Sequence, residues 1–256
     1  MSKELTSISN SSLCSIGHLK SPLKAKFGLP RQGAHAPSLP GELIMNPSFG
    51  AAEWLRDLEN IGYLWLISWL HLYHRDKISP TVRPPRLGGN KRVSTFATRS
   101  PSRPNPIGLS LVKLEKVLLG DGLQPTKILI RGHDLVDATP ILDIKPYIPQ
   151  ADTPWTKVNN HDSWIGQAEH KIYTVSWPKE VTKKLQVDFH LCAEESCSLQ
   201  KIIEELIKYD IRPRYKNKCD CDTNTYWFEY QDIDFEISYD DSLSRVVVCD
   251  IRRPRV

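Results

Sequence analysis

Long apolar stretches are scarce in this sequence of 256 residues, and that scarcity excludes whole classes of protein. The longest apolar run, Ile61–Leu72, is interrupted by Gly62 and Ser68 and is too short to cross a bilayer. Residues 1–12 are polar and serine-rich, without the apolar segment of a secretory signal or a membrane anchor. These features predict a soluble, cytoplasmic protein with no membrane partner. No G-x-G-x-x-G run occurs, and the apparent strands are not interleaved with long helices, which argues against a Rossmann-type cofactor domain. A strong excess of one charge is also missing: the formal net charge is +4, too small by itself to announce a nucleic-acid protein. Among the cysteines, Cys14, Cys192, Cys197, Cys219, Cys221 and Cys249, the close pairs tempt a zinc reading. Without a secretory context, reduced structural thiols and no metal are expected.

Basic residues are instead concentrated locally. Ser94–Gly108 sets Arg99 and Arg103 among Pro101, Pro104 and Pro106. Proline fixes φ, and arginine offers a planar fork of five donors, so this loop reads as a rigid basic element suited to an anionic or carboxylated group. Arg83, Arg86, Lys91 and Arg92 precede it around Pro84 and Pro85, which exclude a regular helix and display the charges on a loop. One basic tract from Arg83 to Arg103 results, a pattern that favours phosphate binding.

Periodicity outlines the rest. A short strand over Ser12–Gly17 leads into a long loop over residues 20–40 that contains Pro30-Arg31-Gln32. Trp54, Leu55, Leu58 and Ile61 predict a short core-packing helix, and Tyr63–Leu72 a strand buried on both faces with His71 at its end. A short strand at Val93–Thr98 and strands at Leu109–Leu118, Lys127–Arg131, Ile141–Ile144, Lys171–Trp177 and Lys184–Phe189 point to a barrel or sandwich. Ser198–Asp210 has a single apolar stripe, predicting an amphipathic helix, and Tyr226–Tyr239 with Arg245–Ile251 alternate like a small sheet. The expected organisation is a flexible start over residues 1–11 and a mainly β domain over 12–150. Linker and additional strands follow over 151–197, and an α+β subdomain over 198–256.

One further block, Asp134-Leu135-Val136-Asp137-Ala138-Thr139-Pro140-Ile141-Leu142-Asp143-Ile144-Lys145-Pro146-Tyr147, places two carboxylates around an apolar pair at a strand end. Such carboxylates commonly cap turns. Taken with Pro30-Arg31-Gln32, the Arg83 tract and the Ser94–Gly108 loop, this block resembles the TrmO family of tRNA methyltransferases, also called TsaA-like or YaeB-like proteins. The resemblance runs from about Ile16 to Tyr147 and resumes at Arg212-Pro213-Arg214-Tyr215.

The resemblance implies a β-barrel methyltransferase domain with a smaller α+β C-terminal subdomain, using S-adenosyl-L-methionine and acting as a homodimer. The implied substrate is tRNA carrying N6-threonylcarbamoyladenosine next to the anticodon, and the product its N6-methyl derivative. The implied cofactor contacts are Pro30, Arg31, Gln32, His71, Leu72, Arg99, Leu109, Asp134, Leu135, Val136 and Asp137. Arginine can pair with the cofactor's carboxylate and aspartate with its ammonium or a ribose hydroxyl. Asp137 and His71 are the candidate bases. Arg83, Arg86, Lys91, Arg92 and Arg103 are expected to meet RNA, with Arg212, Arg214 and Tyr215 completing that surface. Ala138 stands where the family commonly has glycine, so a positive φ there would mean strain. A non-catalytic RNA-binding barrel and a methyltransferase for another substrate remain open alternatives.

Overall fold

The computed structural model describes residues 13–73, 78–84, 87, 91–158, 163–167, 171–212 and 225–254. Strands β1 (Gly17–Lys20), β2 (Pro40–Met45) and β3 (Tyr63–Trp69) come first, followed by a two-stranded ribbon of β4 (Thr81–Val82) and β5 (Val93–Ser94). Then come β6 (Ile107–Leu118), β7 (Lys127–Arg131) and β8 (Thr139–Pro146). Six of these strands close into a barrel in the order β1-β2-β7-β6-β3-β8, every pair antiparallel. The protein is therefore mainly β, built on a closed barrel.

Alternation explains the barrel. In β7 the side chains of Ile128 and Ile130 point inward and are almost solvent-free, while Lys127 and Arg131 point out. In β3 the inward set is Leu64, Leu66 and Ser68, and in β6 it is Ser110, Val112 and Leu114. Each buried leucine or isoleucine contributes about 1.5–3 kcal/mol of transfer free energy. β3 is not buried on both faces as expected: its outward side is only half covered, and Tyr63 is 49% exposed. The helix expected through Trp54, Leu55, Leu58 and Ile61 is instead two 3₁₀ turns, Ala52–Leu55 and Leu58–Asn60, because Asp57 between them takes φ 61° and breaks the helical path. The first strand likewise lies later than expected, and Val93–Thr98 is strand only at β5 before a 3₁₀ turn, Thr95–Ala97.

Two single-turn helices, α1 (Pro149–Asp152) and α2 (Trp164–Gln167), lead to β9 (Thr174–Ser176), α3 (Lys179–Asp188) and α4 (Ala193–Ile207). Lys184–Phe189, expected as a strand, belongs to α3: Pro178 is its N-cap, and Val181 and Leu185, four residues apart, bury one face. α4 starts with a capping box in which the Cys192 sulfur accepts from the Glu195 amide and the Glu195 carboxylate accepts from the Cys192 amide. Strands β10 (Thr225–Tyr230), β11 (Ile233–Asp240) and β12 (Arg245–Arg252) form a sheet in the order β10-β11-β12-β9, with β9 parallel to β12.

Two hydrophobic cores result. One fills the barrel; the other joins α3, α4 and the C-terminal sheet through Leu185, Ile203, Leu206, Phe235, Tyr239 and Val248. Leu23, Ala36 and Leu39, from the segment between β1 and β2, are buried in the second core and not in the first. Among the described residues no helix is long and apolar enough to cross a membrane, and no group of three His, Cys, Asp or Glu residues is placed to hold a metal ion. Cys14, Cys192, Cys197 and Cys249 are free thiols; Cys219 and Cys221 lie outside the described residues.

Candidate active site

Antiparallel pairing brings the end of β1, the end of β3 and the starts of β6 and β8 to the same end of the barrel. A cavity of ≈ 450 Å³ opens there, of the size that holds a small ligand. Its walls come from Lys26, Leu29 and Arg31 after β1, Leu70–Tyr73 after β3, Thr98, Arg99, Pro101, Arg103 and Ile107–Ser110 around the start of β6, and Asp134–Val136 with Thr139 at β8.

The floor is set by residues 133–139. His133 is fully buried; its Nε2 donates to the Pro40 carbonyl oxygen at 3.0 Å and its Nδ1 accepts from the Leu135 amide at 3.3 Å. Burial pushes its pKa down to about 4, so the ring is neutral near pH 7. The carboxylate of Asp134 accepts from the Ser110 hydroxyl. Burial raises its pKa, while the Ser110 hydrogen bond and the positive charge of Arg99 act the other way. Asp137 is not in the lining: its Oδ1 accepts from the Ser21 amide at 2.8 Å, and its own amide donates to Leu23 at 2.9 Å. Ala138 takes φ 60°, the left-handed conformation, and its amide then reaches the Leu19 carbonyl at 2.8 Å.

The proline-rich loop is rigid for identifiable reasons. The Ser94 hydroxyl caps the Phe96 amide at 3.2 Å, and Thr95 donates to the Ser79 carbonyl at 2.8 Å. Arg103 Nη1 donates to the carbonyls of Thr98 at 2.6 Å and Thr95 at 3.2 Å. The indole of Trp164 donates to the Ala97 carbonyl at 2.8 Å. Arg103 thus braces the loop from the cavity side, whereas Arg99 is an exposed cation at the cavity wall. Phe96 on the same loop is 74% exposed.

Of the residues expected to contact a cofactor, Arg31, His71, Leu72, Arg99, Leu109, Asp134, Leu135 and Val136 meet around this cavity. Pro30, Gln32 and Asp137 do not line it; Pro30 is buried beside Arg31, and Gln32 is exposed and precedes the 3₁₀ turn Gly33–His35. Lys26, Ser110 and Tyr73 line it and were not anticipated. Lys26 is one lysine in a long polar loop, and only the fold brings its ammonium to the Leu72 carbonyl.

Of the expected RNA contacts, Arg83 and Lys91 are exposed. Arg92 is exposed but spends its Nε on Thr81 Oγ1 at 2.8 Å, tying β5 to β4. Arg212 is a correction: it is 6% exposed, held by carboxylates and packed on aromatic rings, and presents no surface to RNA. Arg86, Arg214 and Tyr215 lie outside the described residues.

A closed antiparallel barrel with a cavity of mixed charge at one end defines a small-ligand-binding β-barrel domain, distinct from crevice-binding parallel sheets. The chain belongs to the TrmO family: the model of the tRNA-methyltransferase O N-terminal domain matches residues 18–153. It is 40% identical over 203 residues to a tRNA (adenine(37)-N6)-methyltransferase of Escherichia coli K12, covering 78% of this chain and 82% of that protein. It is 36% identical to a putative S-adenosylmethionine-dependent methyltransferase, RcsF, of Pseudomonas aeruginosa PAO1, covering 80% and 83% of the two chains. The crystal structure of TrmO from Pseudomonas aeruginosa superposes with a TM-score of 0.69 at 27% identity, covering 94% of this chain and 98% of that one.

Proposed function

We propose that this chain methylates N6 of adenosine 37 in tRNA, on a base that already carries the N6-threonylcarbamoyl group, with S-adenosyl-L-methionine as the methyl donor and residues 12–150 as the methyltransferase domain. Methyl transfer to tRNA from S-adenosyl-L-methionine is the activity of the chain; the modified base and the residue roles are our reading. The observation that carries it is that Arg99 and Asp134 line one cavity at the barrel end, with the Arg99 charge acting on the Asp134 carboxyl.

The donor set fits the cofactor. An amino acid moiety needs a cation and an anion close together, and a purine needs an apolar wall. Arg31 and Arg99 would take the carboxylate, Asp134 the ammonium or a ribose hydroxyl, and Leu109, Leu135 and Val136 the apolar body. When bound, the cofactor supplies an electrophilic methyl group on a sulfonium, and no metal is needed for its transfer. The protein's task is alignment, and walls locked by Arg103, His133 and Ser110 suit that task. His71 lines the cavity and is the residue we assign to receive the proton shed by the attacking nitrogen; Asp137, committed to Ser21, is not. Arg83 and Lys91 offer phosphate contacts, and the exposed ring of Phe96 offers a face to an unstacked base of the anticodon loop. The reading extends to a cytoplasmic homodimer, which light scattering tests.

Mass spectrometry of tRNA from cells lacking the chain tests the substrate. Unmethylated N6-threonylcarbamoyladenosine should accumulate at position 37 and its methyl derivative disappear; an unchanged nucleoside profile would refute the assignment. Calorimetry tests the site. Arg99→Ala should weaken S-adenosylmethionine binding by about 2 kcal/mol, roughly 30-fold, the low end for a charge contact because Arg99 is exposed.

A further inference from the structure

Between β1 and β2 the chain leaves the barrel and crosses to the second core, and this crossing carries Lys26, Leu29 and Arg31 to the cavity. Several of its supports come from the C-terminal unit. Glu205 of α4, 8% exposed, accepts from the Ser38 amide at 2.7 Å and the Ser38 hydroxyl at 2.8 Å. The Gln231 amide donates to the Pro22 carbonyl at 2.8 Å. The His35 ring stacks on Tyr209, centroids 4.1 Å apart, and Arg31 Nη2 donates to the main-chain oxygen of Asp210 at 3.1 Å.

The corner that receives Arg31 is itself locked. Asp210 has φ 32°, an unfavourable conformation for a residue with a side chain, so its carbonyl keeps one direction only if the turn is held from outside. Arg212 supplies that hold. Its backbone amide, Nε and Nη2 all donate to the Asp210 carboxylate, at 3.1, 2.8 and 2.9 Å. Nη1 and Nη2 grip Asp241 at 3.0 and 2.9 Å, and Nη2 also reaches the Tyr173 hydroxyl at 2.9 Å. The guanidinium lies 4.5 Å from the centroid of Tyr239, whose hydroxyl donates to the Ile207 carbonyl at 2.6 Å. The Asp241 carboxyl is held well below its ordinary range, chiefly by the hydrogen bond from Arg212. The guanidinium is buried while its carboxylate partners are partly exposed, and a buried charge that lost a partner would be left uncompensated, which keeps Arg212 in one geometry.

We propose that the Asp210–Arg212 corner positions a cofactor-binding residue from the neighbouring unit: Arg212, clamped by Asp241, fixes the Asp210 carbonyl, and that carbonyl aims the Arg31 guanidinium into the cavity. Arg212 is a positioning residue, acting through Arg31 without touching the ligand. The inference rests on the assignment of the cavity to S-adenosylmethionine.

The test is a double-mutant cycle read by calorimetry with S-adenosylmethionine, each variant checked for folding by near-ultraviolet circular dichroism. Arg212→Gln should raise the dissociation constant about tenfold. Asp241→Asn, at a half-exposed position and therefore milder to the fold, should raise it in the same direction. Arg31→Ala combined with either should bind no more weakly than Arg31→Ala alone. Lys184→Gln, which removes the 2.7 Å contact to Asp250 on the same sheet, should leave binding unchanged. Undiminished affinity in a folded Asp241→Asn or Arg212→Gln, additive losses with Arg31→Ala, or an equal loss in Lys184→Gln would each overturn the positioning role. A wild-type chain with no saturable binding would overturn the cofactor assignment and this inference together.

Discussion

Acidification should remove stability from this protein through one imidazole. His133 is fully buried and its pKa is pushed down to about 4, against 6.5 for an exposed histidine. Above pH 6.5 the ring is neutral in both the folded and unfolded chains, and the difference has no effect. As the pH falls from 6.5 toward 4 the unfolded chain takes up a proton that the native chain refuses, so stability falls with pH. At about 1.4 kcal/mol per pH unit, the full interval amounts to about 3 kcal/mol, a large share of the ~5–15 kcal/mol that holds a typical domain together. Asp134 works in the opposite direction: its raised pKa lets the native state bind protons first, which favours folding as the pH falls. Asp241 and Asp250, both depressed, lose their contributions only below the ordinary carboxylate value of 3.8. The comparison that isolates His133 is therefore with His133→Gln, whose amide can still donate toward Pro40. Urea unfolding across this range should show the wild-type curve falling more steeply with acid than the variant's, by one proton. Parallel curves would refute the buried neutral imidazole.

Replacing Ala138 by glycine removes a left-handed penalty of about 1–2 kcal/mol and adds about 0.4–1 kcal/mol of unfolded-chain entropy, for a net gain of roughly 0.5–1 kcal/mol. A higher urea midpoint with unchanged slope is expected. Gly33→Ala should destabilise by at least ~1–3 kcal/mol and weaken S-adenosylmethionine binding, because a Cβ there would stand 1.8 Å from the Gly132 carbonyl oxygen and push the turn after Arg31 off the barrel. Calorimetry and thermal melting read both effects. Lys91→Ala should weaken tRNA binding and reduce the slope of log affinity against log salt by about one; an unchanged slope would exclude Lys91 as a phosphate contact.

Much of the barrel is legible because its strands obey a simple period. Lys127–Arg131 has alternating apolar residues, ends in charges and is flanked by turn residues, and the structure shows a strand with those bounds. Lys184–Phe189 misleads because Leu185 and Val187 also alternate, while the decisive spacing is Val181 to Leu185 behind Pro178. At the site, Arg99 and the Asp134–Val136 block are recognisable as contiguous motifs, and they meet at the cavity. Ser110 and Lys26 escape notice because their partners, Asp134 and Leu72, are distant in sequence and only the folded chain unites them. Arg212 misleads in the other direction. A charged residue in a polar run reads as surface, and its burial depends on Tyr173, Tyr239 and Asp241, which no local pattern connects to it.

The burial of Leu23, Ala36 and Leu39 within the second core sets an order of assembly in time. The barrel can close once β8 has been made, since its seam is the pairing of Gly17–Leu19 with Thr139–Ile141. The crossing segment, although synthesised among the first residues, settles on apolar surface that α3 and α4 begin and that β10, β11 and β12 complete. Such long-range closure is slow compared with the pairing of neighbouring strands. The newborn chain can thus close its barrel while the wall bearing Lys26 and Arg31 still waits, so the cavity at the barrel end is expected to be complete only when the second core has formed.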